Sequence, residues 1–339
     1  MGYKHFTLET REILQRLLSQ GHSMRSCARI LGYCPSAICR EVRKGTKNLD
    51  GKGRYDPHRA HGRAVWHRRR ASLKGKNFDP AVIDYVRWGL KQYWSPEQIC
   101  NRMRLDFPSN ERLRISFKTI YRWLKQGVRE QHSHPWRGYS KYLRLKRQGK
   151  SFSGSGSTTR GEAPNLPSIE CRPAEANKRN RFGDWEGDLI QGRRRQGYLM
   201  TLVERSLGVL FAQPCRDKSS ESVNRAILKA FQGFPLKYVR TITFDRGKEF
   251  YGYEKLQDEL GAKIYFCHPH SPNERGQNEQ ANGLLRQFFP KNKSLDNVSN
   301  EKVRWAVALI NNRPKKKYGY RTTRELVERC GLYDVLNFI

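Results

Sequence analysis

The chain has 339 residues, of which 37% are hydrophobic and 29% charged, and its formal net charge is +34. This composition indicates a folded and very polar protein, and no apolar run reaches the roughly 20 residues that a membrane-spanning helix needs. Nucleic acid, rather than an anionic membrane, is the expected partner of so basic a chain. The eight cysteines show no CxxC spacing, which favours reduced thiols in a cytosolic protein over a disulfide or zinc framework.

The first 45 residues contain three short helical patterns. Ser23 is expected to cap the second helix, Gly32 to end it, and Pro35 or Ser36 to begin the third. This spacing predicts a helix-turn-helix with the third segment as its recognition helix. The side chains of that segment expected to face a DNA groove are Ser36, Arg40, Arg43 and Lys44. The alternative is a small helical bundle with a solvated basic face.

A similar pattern follows between residues 94 and 127. Ser95 is expected to cap one helix with Pro96 at its first position, and a second helix begins at Ser116. We interpret the pair as a second helix-turn-helix, although any three-helix domain could show the same pattern. Its outward side chains expected to contact DNA are Lys118, Arg122 and Lys125.

The chain beyond residue 168 alternates strands and helices. Three strands are predicted within residues 184–215, followed by a helix, a strand ending at Asp245, and further βα units. This order predicts an α/β domain with a mixed sheet, as in ribonuclease H-like domains.

The predicted organisation is therefore multidomain, with all-α helix-turn-helix N-terminal domains and an α/β ribonuclease H-like domain. The expected segments are a first helix-turn-helix domain in 1–50, a basic linker in 51–78, a second helix-turn-helix domain in 79–148, a Gly/Ser/Pro-rich flexible linker in 149–168, and the α/β domain in 169–339.

Acidic residues occur at informative places in the α/β domain. Asp184, Glu186 and Asp188 alternate along one strand and so share a face, and Asp245 lies where another strand ends. Carboxylates brought together repel one another, and a divalent cation removes that cost; oxygen ligands select Mg²⁺. A pair of ions would support in-line phosphoryl displacement. An alternative interpretation is that Asp184 and Glu186 are surface charges at the end of the strand, or pair with the nearby Arg179 and Arg181.

Three stretches resemble the catalytic motifs of DDE transposases of the insertion sequence 30 family: RNRFGDWEGDLI, TFDRGKEF and HPHSPNERGQNEQANGLLRQFFPK. The resemblance covers nearly the whole chain. It implies a bacterial cytoplasmic, nucleoid-associated enzyme whose catalytic core uses two Mg²⁺ ions, with Mn²⁺ as a substitute. Such an enzyme cuts at the terminal inverted repeats of its own element and joins the 3′ ends to target DNA. A homodimer or higher oligomer on DNA is expected, because two ends must be handled together.

Carried over to this chain, the resemblance implies a catalytic and metal-binding triad of Asp188, Asp245 and Glu279. Gly276 and Asn282 surround Glu279 in the Gly-x-x-Glu-x-x-Asn pattern of integrase-type helices.

Two further charged residues lie near the third motif. Glu274 has no such context, and we expect it to begin the helix. Arg286, about two turns after Glu279, is expected to contact a phosphate.

Two other readings stay open. A helix-turn-helix regulator with a catalytically silent α/β domain would have no need for the three acidic residues together. A viral-type integrase shares the chemistry but usually brings an N-terminal His/Cys zinc module, which the sequence does not show. His268 and His270 suggest zinc, but no second pair of ligands has suitable spacing.

Overall fold

The computed structural model describes residues 5–46, 53–73, 78–129, 134–144, 165–269 and 271–339, without the side chains of 68–73 and 272–273. The chain divides into two compact units, Met1–Phe78 and Asp79–Ile339. The predicted flexible linker, 149–168, lies outside the described residues as far as residue 164. No helix within the described ranges combines the length and apolar character needed to cross a membrane.

The first unit consists of the helices α1 (Leu8–Ser19), α2 (Met24–Leu31), α3 (Pro35–Gly45) and α4 (Pro57–Leu73). The predicted helix boundaries are confirmed: the Ser23 hydroxyl accepts a hydrogen bond from the Ser26 backbone, Gly32 ends α2 in the left-handed conformation, and Pro35 begins α3. The buried core residues that join these helices are Leu14, Cys27, Ala28, Ile38, Val42, Tyr55 and Ala60.

Helix α4 occupies most of the segment that we predicted to be a basic linker. Tyr55 and Ala60 are buried in the same core as α1 and α3, so this stretch belongs to the packed unit. Gly45 at the end of α3 allows the Tyr55 ring to pack closely against this helix, since a Cβ at residue 45 would lie 2.4 Å from the ring. The helix was not predicted, because the few apolar positions that pack it into the core lie among many basic residues.

The second unit begins with the helices α5 (Pro80–Lys91), α6 (Pro96–Asp106) and α7 (Phe117–Arg129). Ser95 caps α6 through a capping box with Gln98, and Pro96 takes the first helical position, as predicted. The Ser116 hydroxyl accepts from the Thr119 backbone at the start of α7.

A mixed five-stranded sheet follows, with the strands β1 (Asp184–Gln191), β2 (Tyr198–Glu204), β3 (Leu210–Cys215), β4 (Thr241–Phe244) and β5 (Lys263–Phe266). The strand order is β3-β2-β1-β4-β5. The first three strands pair antiparallel, whereas β4 pairs parallel with both β1 and β5. The predicted mixed sheet is confirmed, and β1 lies at its centre.

The remaining helices are α8 (Ala174–Lys178), α9 (Ser220–Ala230), α10 (Tyr253–Leu260), α11 (Gly276–Leu285), α12 (Asn300–Asn311) and α13 (Thr323–Arg329). One face of the sheet packs Trp185 and Phe244 against α9 and α10. The other face packs Leu199 against Ala281 and Leu285 of α11, together with α12. The acidic residues of β1 alternate with Trp185, so they point towards α11.

Helix α6 contacts the C-terminal part of the chain. The Gln98 amide donates to the Pro314 carbonyl at 2.6 Å, and the Arg102 guanidinium binds both carboxylate oxygens of Glu325 in α13. These contacts place the second helical segment and the α/β domain in one compact unit, although the sequence predicted two domains there.

Gly187 in β1 has no room for a side chain. A Cβ there would lie 2.2 Å from the ring of Phe244, which is fully buried and stacked on Phe250. We expect Gly187→Ala to lower the free energy of unfolding by about 1–3 kcal/mol through overpacking, measured by urea denaturation. Gly276→Ala is the control, because a Cβ there meets nothing within 4 Å. Equal urea midpoints for the two variants would contradict this packing.

Candidate active site

Asp184, the first acidic residue of β1, is fully occupied by structural partners. Its carboxylate accepts hydrogen bonds from Arg181 Nε and from the Thr241 hydroxyl, each at 2.8 Å, and its side chain is buried. The predicted alternative of an ion pair with Arg181 is therefore confirmed for Asp184.

Glu186, the second acidic residue, is also buried and paired. One carboxylate oxygen accepts from Arg205, the residue that follows β2, and the other accepts from the backbone N–H of Asn278 at 3.2 Å. Asn278 lies in the first turn of α11, where a carboxylate is favoured by the exposed N–H groups and the helix dipole. Glu186 therefore anchors the start of α11 to β1. The pairing of Glu186 with Arg205 was not predicted from the sequence.

Asp188, the third acidic residue, meets Asp245 through a single guanidinium. Arg275 Nη1 lies 3.3 Å from Asp188 Oδ1, and Arg275 Nη2 donates to Asp245 Oδ2 at 3.0 Å. Arg275 Nη1 also donates to the Gly187 carbonyl at 3.1 Å. The Asn282 amide of α11 donates to the second Asp188 oxygen at 2.7 Å. Two of the three predicted catalytic carboxylates are thus brought together.

The electrostatics of this cluster follow from burial and charge. Burial raises the pKa of Asp188, and the charge of Asp245 acts in the same direction, whereas Arg275 opposes both. Burial acts to lower the pKa of Arg275, but the two aspartates outweigh it and raise that pKa above its usual range. Arg275 therefore supplies the positive charge that the two aspartates share.

Glu279, the predicted third carboxylate, is exposed in the first turn of α11. Across the described residues, no three His, Cys, Asp or Glu side chains are gathered closely enough to hold a metal ion, so the predicted triad is not assembled as a cluster. The physical reason is charge: Arg275 compensates Asp188 and Asp245, and a third carboxylate beside them would add repulsion.

The donor set nevertheless fits a hard divalent cation. Asp188 and Asp245 present carboxylate oxygens at one place, and their side chains are 26% and 42% exposed, so an ion can reach them. Asp184 and Glu186, by contrast, are sealed among protein partners.

The side chains of α3 and α7 that were predicted to contact DNA are exposed in the structure. On α3 these are Ser36, Arg40, Arg43 and Lys44, and on α7 they are Lys118, Arg122 and Lys125. Two aromatic residues that were not among the predicted contacts, Phe117 and Tyr121, are also exposed on α7.

Arg286 has a different environment. Its guanidinium is partly buried and donates to the carbonyls of Gln191, at 2.9 Å, and Phe289, at 3.3 Å. It therefore joins the end of β1 to the end of α11, and its predicted phosphate contact stays a prediction.

Glu274 and His268 pair with each other next to α11. Glu274 lies in the 3-10 turn Pro272–Arg275, just before the helix, and accepts from the His268 backbone at 2.9 Å. Its other oxygen lies 2.7 Å from His268 Nδ1, and this hydrogen bond raises the pKa of His268. His270, the other histidine considered for zinc, lies outside the described residues.

Comparison with protein families gives two matches. A helix-turn-helix domain matches residues 2–45, and an integrase core domain matches residues 179–272. The second match includes Asp188 and Asp245 and ends before Glu279.

Several proteins that are similar over most of the chain are transposases. The chain is 33% identical over 337 residues to the transposase InsI for insertion sequence element IS30A of Escherichia coli (strain K12), covering 96% of this chain and 84% of that protein. It is also 33% identical over 325 residues to the transposase for insertion sequence element IS4351 of Bacteroides fragilis, covering 95% of each.

Among solved structures, the chain is similar to the catalytic core domain of BIV integrase. The identity is 19%, the match covers 45% of this chain and 98% of that one, and the TM-score is 0.35.

The Glu186–Arg205 pair should contribute strongly to stability. Glu186→Ala leaves the Arg205 guanidinium buried without its counterion and removes the acceptor for α11, so we expect a loss of about 3–5 kcal/mol in the free energy of unfolding. Glu186→Gln keeps an acceptor oxygen and should lose less. Glu221→Ala breaks an exposed pair with Arg225 and should change the urea midpoint little. A Glu186→Ala midpoint equal to that of Glu221→Ala would contradict the anchoring role.

Proposed function

We propose, since the chain belongs to the insertion sequence 30 family of DNA transposases, that it acts on the terminal inverted repeats of its own insertion element. The family and the integrase core domain make it an enzyme that cuts and joins DNA. In our proposal it hydrolyses the DNA at the 3′ ends of the element and joins the freed 3′-OH groups to target DNA by transesterification. The observation that supports this most is the convergence of Asp188 and Asp245 on one guanidinium.

We propose that Asp188 and Asp245 hold Mg²⁺, with Mn²⁺ as a substitute, and that Glu279 completes the set for two ions. When bound, such ions supply activation of the attacking oxygen and stabilisation of the leaving oxygen in an in-line displacement.

The chain's own residues position these carboxylates. The Asn282 amide fixes the orientation of the Asp188 carboxylate by donating to one of its oxygens. Glu186 fixes the first turn of α11, which carries Glu279. Glu279 lies three residues before Asn282 and four after Arg275, and both of those residues contact Asp188. This spacing supports the proposal that Glu279 joins the two aspartates when the metal ions bind.

Recognition of the element ends is assigned to the exposed basic surfaces of α3 and α7. The excess of positive charge supplies phosphate binding, and side chains of these two helices supply base contacts. Because the two ends of one element must be processed together, we propose that the active form on DNA is a homodimer or a higher oligomer.

The catalytic assignment is tested by cleavage of a duplex that carries the element ends. Asp188→Asn, Asp245→Asn and Glu279→Gln should each reduce Mg²⁺-dependent cutting by about 10³-fold or more, while binding to the ends is retained. Glu274→Gln is the matched control, because it changes an acidic residue that pairs with His268 and should have a mild effect. If Glu274→Gln abolishes cutting and Glu279→Gln does not, the third carboxylate is wrongly chosen. If wild type binds the ends but never cuts, the chain is a DNA-binding regulator.

The recognition assignment is tested by binding measurements. Arg43→Ala and Arg122→Ala should each weaken binding to the element ends by about 1–3 kcal/mol if they contact bases, with a smaller effect on unrelated DNA. A weakening that is equal on all sequences would instead indicate phosphate contacts. Arg225→Ala, which removes an exposed arginine from α9, is the control and should bind as wild type does. Unchanged affinity in both α3 and α7 variants would contradict the assignment.

A further inference from the structure

We propose that Arg275 is a built-in counterion of the catalytic acid pair. In the protein without a divalent cation its guanidinium holds Asp188 and Asp245 together, and metal binding displaces it from them. Arg275 therefore offsets the repulsion between the two carboxylates until a metal ion replaces it. The inference rests on the proposed metal role of the two aspartates.

The contacts of Arg275 are those of a bridge between two acids. The Arg275 side chain is 15% exposed, and the two terminal nitrogens of its guanidinium each contact a different aspartate, at 3.3 Å and 3.0 Å. The Gly187 carbonyl, which accepts from Nη1, fixes the plane of the group beside β1. A planar guanidinium with several fixed donors can span two carboxylates in this way, which a single ammonium group cannot.

The three acidic residues of β1 show why this arginine differs from the others. Asp184 and Glu186 have side chains only 1% and 0% exposed, so their arginines complete closed structural pairs. Asp188 and Asp245 remain accessible, and they share one positive charge between two carboxylates. The cluster therefore keeps a formal charge of −1, which attracts a further cation.

Competition follows from the charges. A divalent cation bound to Asp188 and Asp245 would lie next to the guanidinium, and like charges at such a distance repel. The carboxylate oxygens of Asp188 and Asp245 cannot bind the metal ion and the guanidinium at full strength at the same time. Arg275 is the N-cap residue of α11 and ends a 3-10 turn. Because it lies outside the helix proper, its side chain can move away from the two aspartates while the helix stays intact.

The test measures Mn²⁺ binding to the full chain in the absence of DNA, by calorimetric titration. Arg275→Gln should bind Mn²⁺ about tenfold more tightly than wild type, because the competing charge is gone. Arg246→Gln is the matched control: it removes an arginine adjacent to Asp245 in sequence, whose Nε contacts the Cys267 carbonyl. Arg275→Lys retains a positive charge but not the bridge, so its affinity should fall between those of wild type and Arg275→Gln.

A second readout is thermal unfolding with and without metal. In a chelator, Arg275→Gln should unfold at a lower temperature than wild type, since the two aspartates then repel without compensation. Added Mg²⁺ should raise its midpoint by more than that of wild type. A purely structural arginine would lower the midpoint in both conditions and leave metal affinity unchanged or weaker.

The outcomes separate this inference from the proposed function. If Arg275→Gln and Arg275→Lys bind Mn²⁺ no more tightly than Arg246→Gln does, the counterion role is wrong. If Asp188→Asn and Asp245→Asn bind Mn²⁺ as wild type does, the proposed metal site itself fails. If Arg275→Gln does not fold in chelator but folds with Mg²⁺, the counterion role is supported directly.

Discussion

The central constraint in this structure is that carboxylates on one strand of a very basic protein each need a positive charge. Asp184, Glu186 and Asp188 lie on the same face of β1, and each is met by a different arginine. The first two pairs are closed and help to hold α11 and β4 against β1. The third is open to solvent and shared with Asp245, so the same electrostatic requirement that builds the core also creates the candidate catalytic site.

Much of the fold could be predicted from the sequence, because local signals fix it. Ser23, Gly32, Ser95 and Pro96 have the capping roles expected of them, and the strand order gives the mixed sheet. The helix α4 was not predicted, because its burial depends on residues such as Tyr55 that contact distant helices. Likewise, the contact between α6 and α13 depends on an ion pair between residues far apart in the sequence.

The site was predictable only in part. The resemblance to the family's motifs pointed to Asp188 and Asp245, and the structure brings these two side chains together on Arg275. Arg205 and Arg275 were missed, because basic residues are so numerous that none is conspicuous in the sequence. The only sequence signal for Arg275 as a partner of Asp188 and Asp245 was its position, one helical turn before Glu279. Which arginine meets which acid is decided by tertiary packing.

The contact between α6 and the C-terminal part has a geometrical consequence for the reaction. Gln98 and Arg102 join the helical segment α5–α7 to the part of the unit that carries Asp188 and Asp245. Under the proposed function, DNA bound at α7 therefore meets the site at a spacing set by side-chain packing, not by the length of a linker. The number of base pairs between the contacted sequence and the cut phosphate would then be set by the packing of α6 against the C-terminal part of the chain.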